Sequence, residues 1–224
     1  MHPVVRLRSA VCLLGRFPAL AGVDLDVAPG EVVLLSGGNG AGKTTLLRLL
    51  AGLVSLHEGE AEVLGHDLAR DRRTHRRELA LVGHETFCYD DLTVRENLHF
   101  AARSTGGDVA AAEGALERLG LGRLGDVTHA RLSAGQRRRL ALAVALARQP
   151  RLLLLDEPHA GLDAEGRAVL DEVLANAGPD DHTVVLASHE LDRTRALVTR
   201  EVVLTAGQAH GTLPAETRVP SGAR

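Results

Sequence analysis

Gly37-Gly38-Asn39-Gly40-Ala41-Gly42-Lys43-Thr44-Thr45 follows the apolar run Glu31-Val32-Val33-Leu34-Leu35-Ser36 and opens into Leu46-Leu47-Arg48-Leu49-Leu50-Ala51. The run before it reads as a buried strand and the run after it as a helix. Strand, glycine loop, Lys-Thr and helix in that order form a phosphate-cradling P-loop. Glycines let the backbone curl so that several N–H groups face one centre, and the helix start adds its free N–H groups and positive dipole end. Lys43 supplies a mobile point charge for the β- and γ-phosphates, and the Thr44 hydroxyl suits Mg²⁺. Lys43 is the only lysine in the chain, whereas arginine occurs 25 times. A composition that uses arginine everywhere else has kept a compact ammonium here, where a guanidinium fork fits poorly.

Outward from the loop, the spacing predicts strands over residues 3–14 and 21–27, with clean alternation in Val23-Asp24-Leu25-Asp26-Val27. Gly52 suits the end of the P-loop helix, and Glu58 to Val63 reads as a short strand. Arg70-Asp71-Arg72-Arg73-Thr74-His75-Arg76-Arg77 holds five arginines. It reads as a solvated surface segment, or as a contact for a membrane protein or anionic headgroups. Leu79 to Gly83 returns as a strand. Residues 86–148 are mainly helical, with helices expected over 97–104, 110–119 and 137–148, the last preceded by Ser133 as N-cap. Arg151-Leu152-Leu153-Leu154-Leu155-Asp156-Glu157-Pro158 is a continuous apolar strand ending in two carboxylates. Such strands belong to parallel sheets covered on both faces, whose chemistry sits at the strands' carboxyl ends. A helix over 164–175, a strand over 183–187 ending at Ser188-His189-Glu190, and a terminal hairpin follow. Asp156 is placed to hold Mg²⁺ with Thr44, and Glu157 to orient or deprotonate water.

Composition sets bounds. A chain of 224 residues with net charge −3 carries no nucleic-acid footprint. The apolar runs fall far short of the ~20 residues of a membrane span. The N-terminus reads as a strand rather than a signal peptide, because Arg16 interrupts its apolar core. Cys12 and Cys88 are too few for a disulfide framework.

With these residues in place, the sequence resembles the ATP-binding-cassette (ABC) ATPases over roughly residues 5–212. The motifs stand in the family's order: the P-loop at 37–45, the signature Leu132-Ser133-Ala134-Gly135-Gln136, the Walker B run 152–157, the D-loop Ala160-Gly161-Leu162-Asp163, and a switch histidine, His189. The resemblance implies an α/β fold. Its P-loop NTPase core has a mainly parallel sheet, an N-terminal antiparallel β subdomain and an inserted α-helical signature subdomain, in one domain over 1–214 with a frayed tail at 215–224. It implies ATP and Mg²⁺ as ligands and a head-to-tail dimer in which Ser133 and Gly135 reach the partner's γ-phosphate. His189 is expected at the γ-phosphate beside Glu157. An integral-membrane subunit completes the implied assembly, with the chain cytoplasmic and peripheral on the inner face of the cell membrane. The alternative is a soluble, non-transport ABC ATPase, such as an iron–sulfur assembly ATPase.

The departures are specific. Ala134 stands where the family has glycine, and His159 where serine or threonine is common. His84 occupies the Q-loop position that usually holds glutamine. Leu14 sits where an aromatic side chain stacks on adenine, with Phe17 as the substitute. Val82-Gly83-His84 and Asp91-Leu92-Thr93-Val94-Arg95-Glu96-Asn97-Leu98 look like the ATPase subunits of the haem-exporter, cytochrome c maturation group. Phe87, Cys88 and Tyr89 form either lobe core or a groove for a short helix of the membrane subunit.

Overall fold

The computed structural model describes residues 2–83, 86–178 and 182–214. The chain opens with strands β1 (Val5–Leu14) and β2 (Phe17–Val27), then β3 (Val32–Ser36) and helix α1 (Lys43–Leu50). Strands β4 (Glu58–Val63), β5 (His66–Asp67) and β6 (Leu79–Val82) lead to helices α2 (Val94–Ser104), α3 (Val109–Arg118) and α4 (Ala134–Ala147). Then come β7 (Leu152–Asp156), α5 (Ala164–Ala175), β8 (Thr183–Ala187), α6 (Leu191–Arg195), β9 (Arg200–Thr205) and β10 (Gln208–Pro214).

Six strands form one sheet in the order β10-β9-β3-β8-β7-β6, parallel except for β10. Its central strands are apolar on both sides because both faces are covered. Leu153 and Leu155 of β7 enter the core shared with α2, α3, α4 and α5. Leu152 and Leu154 enter the core shared with α1 and the antiparallel sheet β2-β1-β4-β5. The predicted α/β architecture with an N-terminal antiparallel sheet is the one observed, and α2 to α4 lie in the predicted helical segment.

The boundaries differ by three residues or more in three places. α2 begins at Val94 rather than 97, because Thr93 and Glu96 form a capping box ahead of it. β2 begins at Phe17 rather than 21, because Leu14 and Phe17 pair at the tip of a tight hairpin. α4 begins at Ala134 rather than 137, because Ser133 and Gln136 form a reciprocal capping box that draws the signature residues into the first helical turn. Gly52 ends α1 as expected. With φ at +68°, its N–H bonds Leu49 O and the next N–H bonds Arg48 O. The arginine run is a surface segment only in part. Arg70, Arg72, Arg73 and Arg77 are exposed. His75 is buried with Nε2 3.0 Å from Leu50 O, and Arg76 donates to the carbonyls of Ala51 and Gly52. These two side chains satisfy carbonyls that the C-terminus of α1 leaves open. The tail at 215–224 lies outside the described residues, as does His84.

Candidate functional site

The loop between β3 and α1 needs its glycines for space. Gly37 has φ +132°, and a Cβ there would lie 2.1 Å from Leu204 O. Gly42 has φ +106°, and a Cβ there would lie 2.7 Å from Ala19 O. The loop is thus wedged between β9 and β2. Gly38, Asn39 and Gly40 form its exposed rim, and Ala41 packs into the core. Lys43 is buried, and its Nζ donates to the carbonyls of Gly37 (2.8 Å) and Gly38 (3.0 Å). The ammonium therefore lies across the loop, at the N-terminus of α1. Thr45 is buried beside it, while Thr44 faces outward.

Thr44 meets the end of β7. Its hydroxyl donates to Asp156 Oδ2 at 2.8 Å, joining residues 112 apart in sequence. The next residue, Glu157, has φ +49°, a left-handed conformation that costs a non-glycine residue about 1–3 kcal/mol and persists only where its surroundings enforce it. Its N–H bonds Ala187 O at the end of β8 (2.9 Å). Its carboxylate accepts the His189 N–H at Oε2 (3.1 Å), and the His189 ring Nε2 lies 3.4 Å from Oε1. Adjacent parallel strands thus bring Glu157 and His189 together, the pairing that the family resemblance implies. The His189 ring remains half-exposed, open to a ligand over the loop.

Ser133 Oγ accepts the Gln136 N–H at 3.3 Å, and the Ser133 N–H donates to Gln136 Oε1 at 2.8 Å. As an acceptor in this cap, the Ser133 hydroxyl keeps its own proton to donate. Ser133 and Ala134 are exposed, so the start of α4 presents free N–H groups outward. A Cβ on Gly135 would lie 3.5 Å from Gly161 O, placing the signature beside the D-loop. Asp163 caps α5 through the Gly166 N–H (3.0 Å) and pairs with Arg139 at 3.2 Å. His159, the departure ahead of the D-loop, is buried with Nε2 3.1 Å from Asp171.

Sequence reasoning passed over the three arginines that follow the signature. Arg137 bonds the carbonyls of Leu132 and Ala130 (both 3.1 Å). Arg138 donates to the carbonyls of Gly83, Asp156 (3.2 Å) and Glu157 (2.8 Å). Arg139 bonds Leu119 O (3.1 Å) and Glu165 (2.9 Å). Successive helical residues point about 100° apart, so the three reach three different neighbours. The run itself was visible in the sequence: three adjacent charges stand ahead of the apolar stretch Leu140 to Ala147.

Phe17 is 80% exposed at the β1–β2 tip, two residues before the Ala19 carbonyl that abuts Gly42. It therefore stands at the mouth of the loop with a free ring face, and Leu14 beside it offers none. Phe87, Cys88 and Tyr89 divide between the two readings. Cys88 packs against the lobe core, and burial pushes its thiol up to about 11. Tyr89 meets Phe100 edge-on. Phe87 lines an apolar groove of about 230 Å³ with Leu53, Leu79, Leu81 and Val144, rimmed by Arg76 and Arg148.

The ABC transporter family model matches residues 20–160. The chain is 43% identical over 189 residues to the cytochrome c biogenesis ATP-binding export protein CcmA of Bordetella bronchiseptica, spanning 82% of this chain and 83% of that protein. It is 42% identical over 206 residues to CcmA 2 of Salmonella paratyphi A, spanning 92% and 99%. Among solved structures, the ATP-binding subunit of an ABC transporter superposes with a TM-score of 0.88 at 26% identity, over 94% of this chain and 90% of that one. An ATP-binding cassette in a dimeric post-hydrolysis state with ADP and Pi superposes with a TM-score of 0.85 at 25% identity, over 95% and 99%.

Proposed function

The chain belongs to the ABC transporter family, and on that footing we propose that it is the ATP-binding and hydrolysing subunit of an exporter of the cytochrome c biogenesis type. It works as a head-to-tail pair on the inner face of a membrane. The carrying observation is the convergence of Lys43, Thr44, Asp156, Glu157 and His189 at the carboxyl end of one parallel sheet. ATP phosphates enter the loop, and Lys43 turns from the carbonyls of Gly37 and Gly38 to the β- and γ-phosphates. The N–H groups at the start of α1 hold the same phosphates. Phe17 offers its ring to the adenine. Thr44 Oγ1 and Asp156 Oδ2 are hard oxygen donors 2.8 Å apart, a spacing and chemistry that fit one Mg²⁺. When bound, that ion neutralises charge developing on the phosphate oxygens. Glu157 takes the proton of a water that attacks the γ-phosphorus as the bond to the β-phosphate oxygen breaks, releasing ADP and phosphate. His189 fixes both oxygens of Glu157 and faces the γ-phosphate. Ser133, Gly135 and their N–H groups complete the partner's site.

The groove beside Phe87 receives a short helix of the membrane subunit, and its Arg76 and Arg148 rim favours an acidic one. No helix among the described residues is long and apolar enough to cross a membrane. Affinity capture of the tagged chain from detergent-solubilised native membranes tests the assignment. A stoichiometric integral-membrane partner, lost in Phe87→Arg while the fold is kept, is expected. A soluble partner alone would favour a non-transport ATPase.

A further inference from the structure

We propose that Arg138 is a positioning residue for ATP hydrolysis, which carries the placement of the signature helix to Glu157 by holding the carbonyls of Gly83, Asp156 and Glu157. The proposal rests on the reading of Glu157 as the group that accepts the water's proton. Arg138 stands five residues beyond Ser133 on α4, so the helix that starts with the signature also carries the clamp. The three carbonyls belong to two functional stretches, the end of β6 and the end of β7. Gly83 follows β6 and immediately precedes His84. Asp156 ends β7 opposite Thr44. Glu157 follows in its left-handed conformation.

The Glu157 carbonyl accepts from Arg138 Nη2 (2.8 Å) and from the Ala160 N–H of the D-loop (3.1 Å). With its N–H on Ala187, the whole peptide environment of Glu157 is thereby fixed, and with it the direction of the carboxylate. A planar guanidinium suits this task because its donors keep fixed angles to one another. Burial lowers the Arg138 pKa, with the Asp156 and Glu157 charges opposing. A half-buried cation aimed at main-chain oxygens, beside two carboxylates it does not bond, is spent on geometry. Moving α4 by about 1 Å relative to the sheet would stretch these bonds beyond hydrogen-bonding range. Lobe position and Glu157 orientation therefore change together.

The test uses Arg138→Gln and Arg138→Lys, each in the wild-type chain and with Glu157→Gln, reading ATP affinity, KM, kcat and melting temperature. A misplaced catalytic group costs roughly 10²-fold, so kcat of R138Q should fall on that order while KM and ATP affinity stay within about threefold. R138K, which keeps the charge but loses the fork, should fall between, and it carries the test if R138Q does not fold. In the E157Q chain the Arg138 changes should cause no further loss of the residual rate. A folded R138Q or R138K with kcat within twofold of wild type would overturn the proposal. So would loss of ATP affinity in parallel with kcat, or an undiminished effect in the E157Q chain. Wild-type turnover by E157Q alone would remove the Glu157 assignment itself, a separate failure.

Discussion

Replacing Lys43 by arginine keeps the charge and changes only the shape of its carrier. Lys43 is 8% exposed, and its Nζ holds two loop carbonyls at 2.8 and 3.0 Å. A guanidinium is longer, planar and branched, and Gly37 leaves no slack, since even a Cβ there would strike Leu204 O. In the loaded site proposed above the ammonium would donate to phosphate oxygens, where each charge-assisted hydrogen bond contributes about 1.5–3 kcal/mol. Misplacing one such bond should weaken ATP binding by roughly 10- to 100-fold. Stability of the free protein should change by less than about 1 kcal/mol, because water can reach the two carbonyls. Isothermal titration with ATP measures the affinity. The composition adds a second readout: an amine-specific reagent can modify only this lysine side chain and the chain's α-amino group. ATP should protect one site in the wild type and none in the variant. ATP affinity of K43R within twofold of wild type would refute the reasoning.

Ser133→Ala removes the Oγ half of the capping box and should cost about 1 kcal/mol of stability by urea denaturation. Its ATP affinity as a monomer should be unchanged while ATP-dependent pairing, read by light scattering, is lost. Phe17→Ala should weaken ATP binding by about 1–3 kcal/mol, the usual contribution of base stacking, and leave the melting temperature alone, since the ring is 80% exposed. His75 supplies a pH dependence. Burial lowers its pKa below the ordinary 6.5, helped by His66 and Arg76 and opposed by the Leu50 carbonyl and Asp71. The unfolded chain therefore binds this proton more readily. The stability is fully present above about pH 6.5 and lost as pH falls through the window below it, at no more than about 1.4 kcal/mol per pH unit. His75→Gln should flatten that fall between pH 7.5 and 5.5 in urea melts, and parallel curves would refute it.

The sequence made the cradle and the sheet legible because both rest on local pattern. Pro150, four leucines and Asp156 bound β7 on both sides, and Gly52 announces the end of α1. The pairing of Thr44 with Asp156 was legible only through the order of motifs, since 112 residues separate them. The start of α4 was misplaced because Ala134-Gly135-Gln136 has no apolar periodicity. The visible clue was Ser133 with a glutamine three residues on. The partners of Arg138 were invisible for a different reason. Its acceptors are main-chain carbonyls, which every residue type possesses, so nothing in the sequence marks the partners. The same holds for His75 and Arg76, whose charges read as surface and instead close a helix end.

Phosphate release by Glu157→Gln under saturating ATP decides whether Glu157 takes the proton of the attacking water. The variant keeps the shape of the side chain and its bond to the His189 N–H, and removes only the capacity to take a proton. General base catalysis contributes about 10²- to 10⁴-fold. The account predicts ATP bound with wild-type affinity and phosphate release slowed by at least 10²-fold. Release within a few fold of the wild-type rate would contradict it.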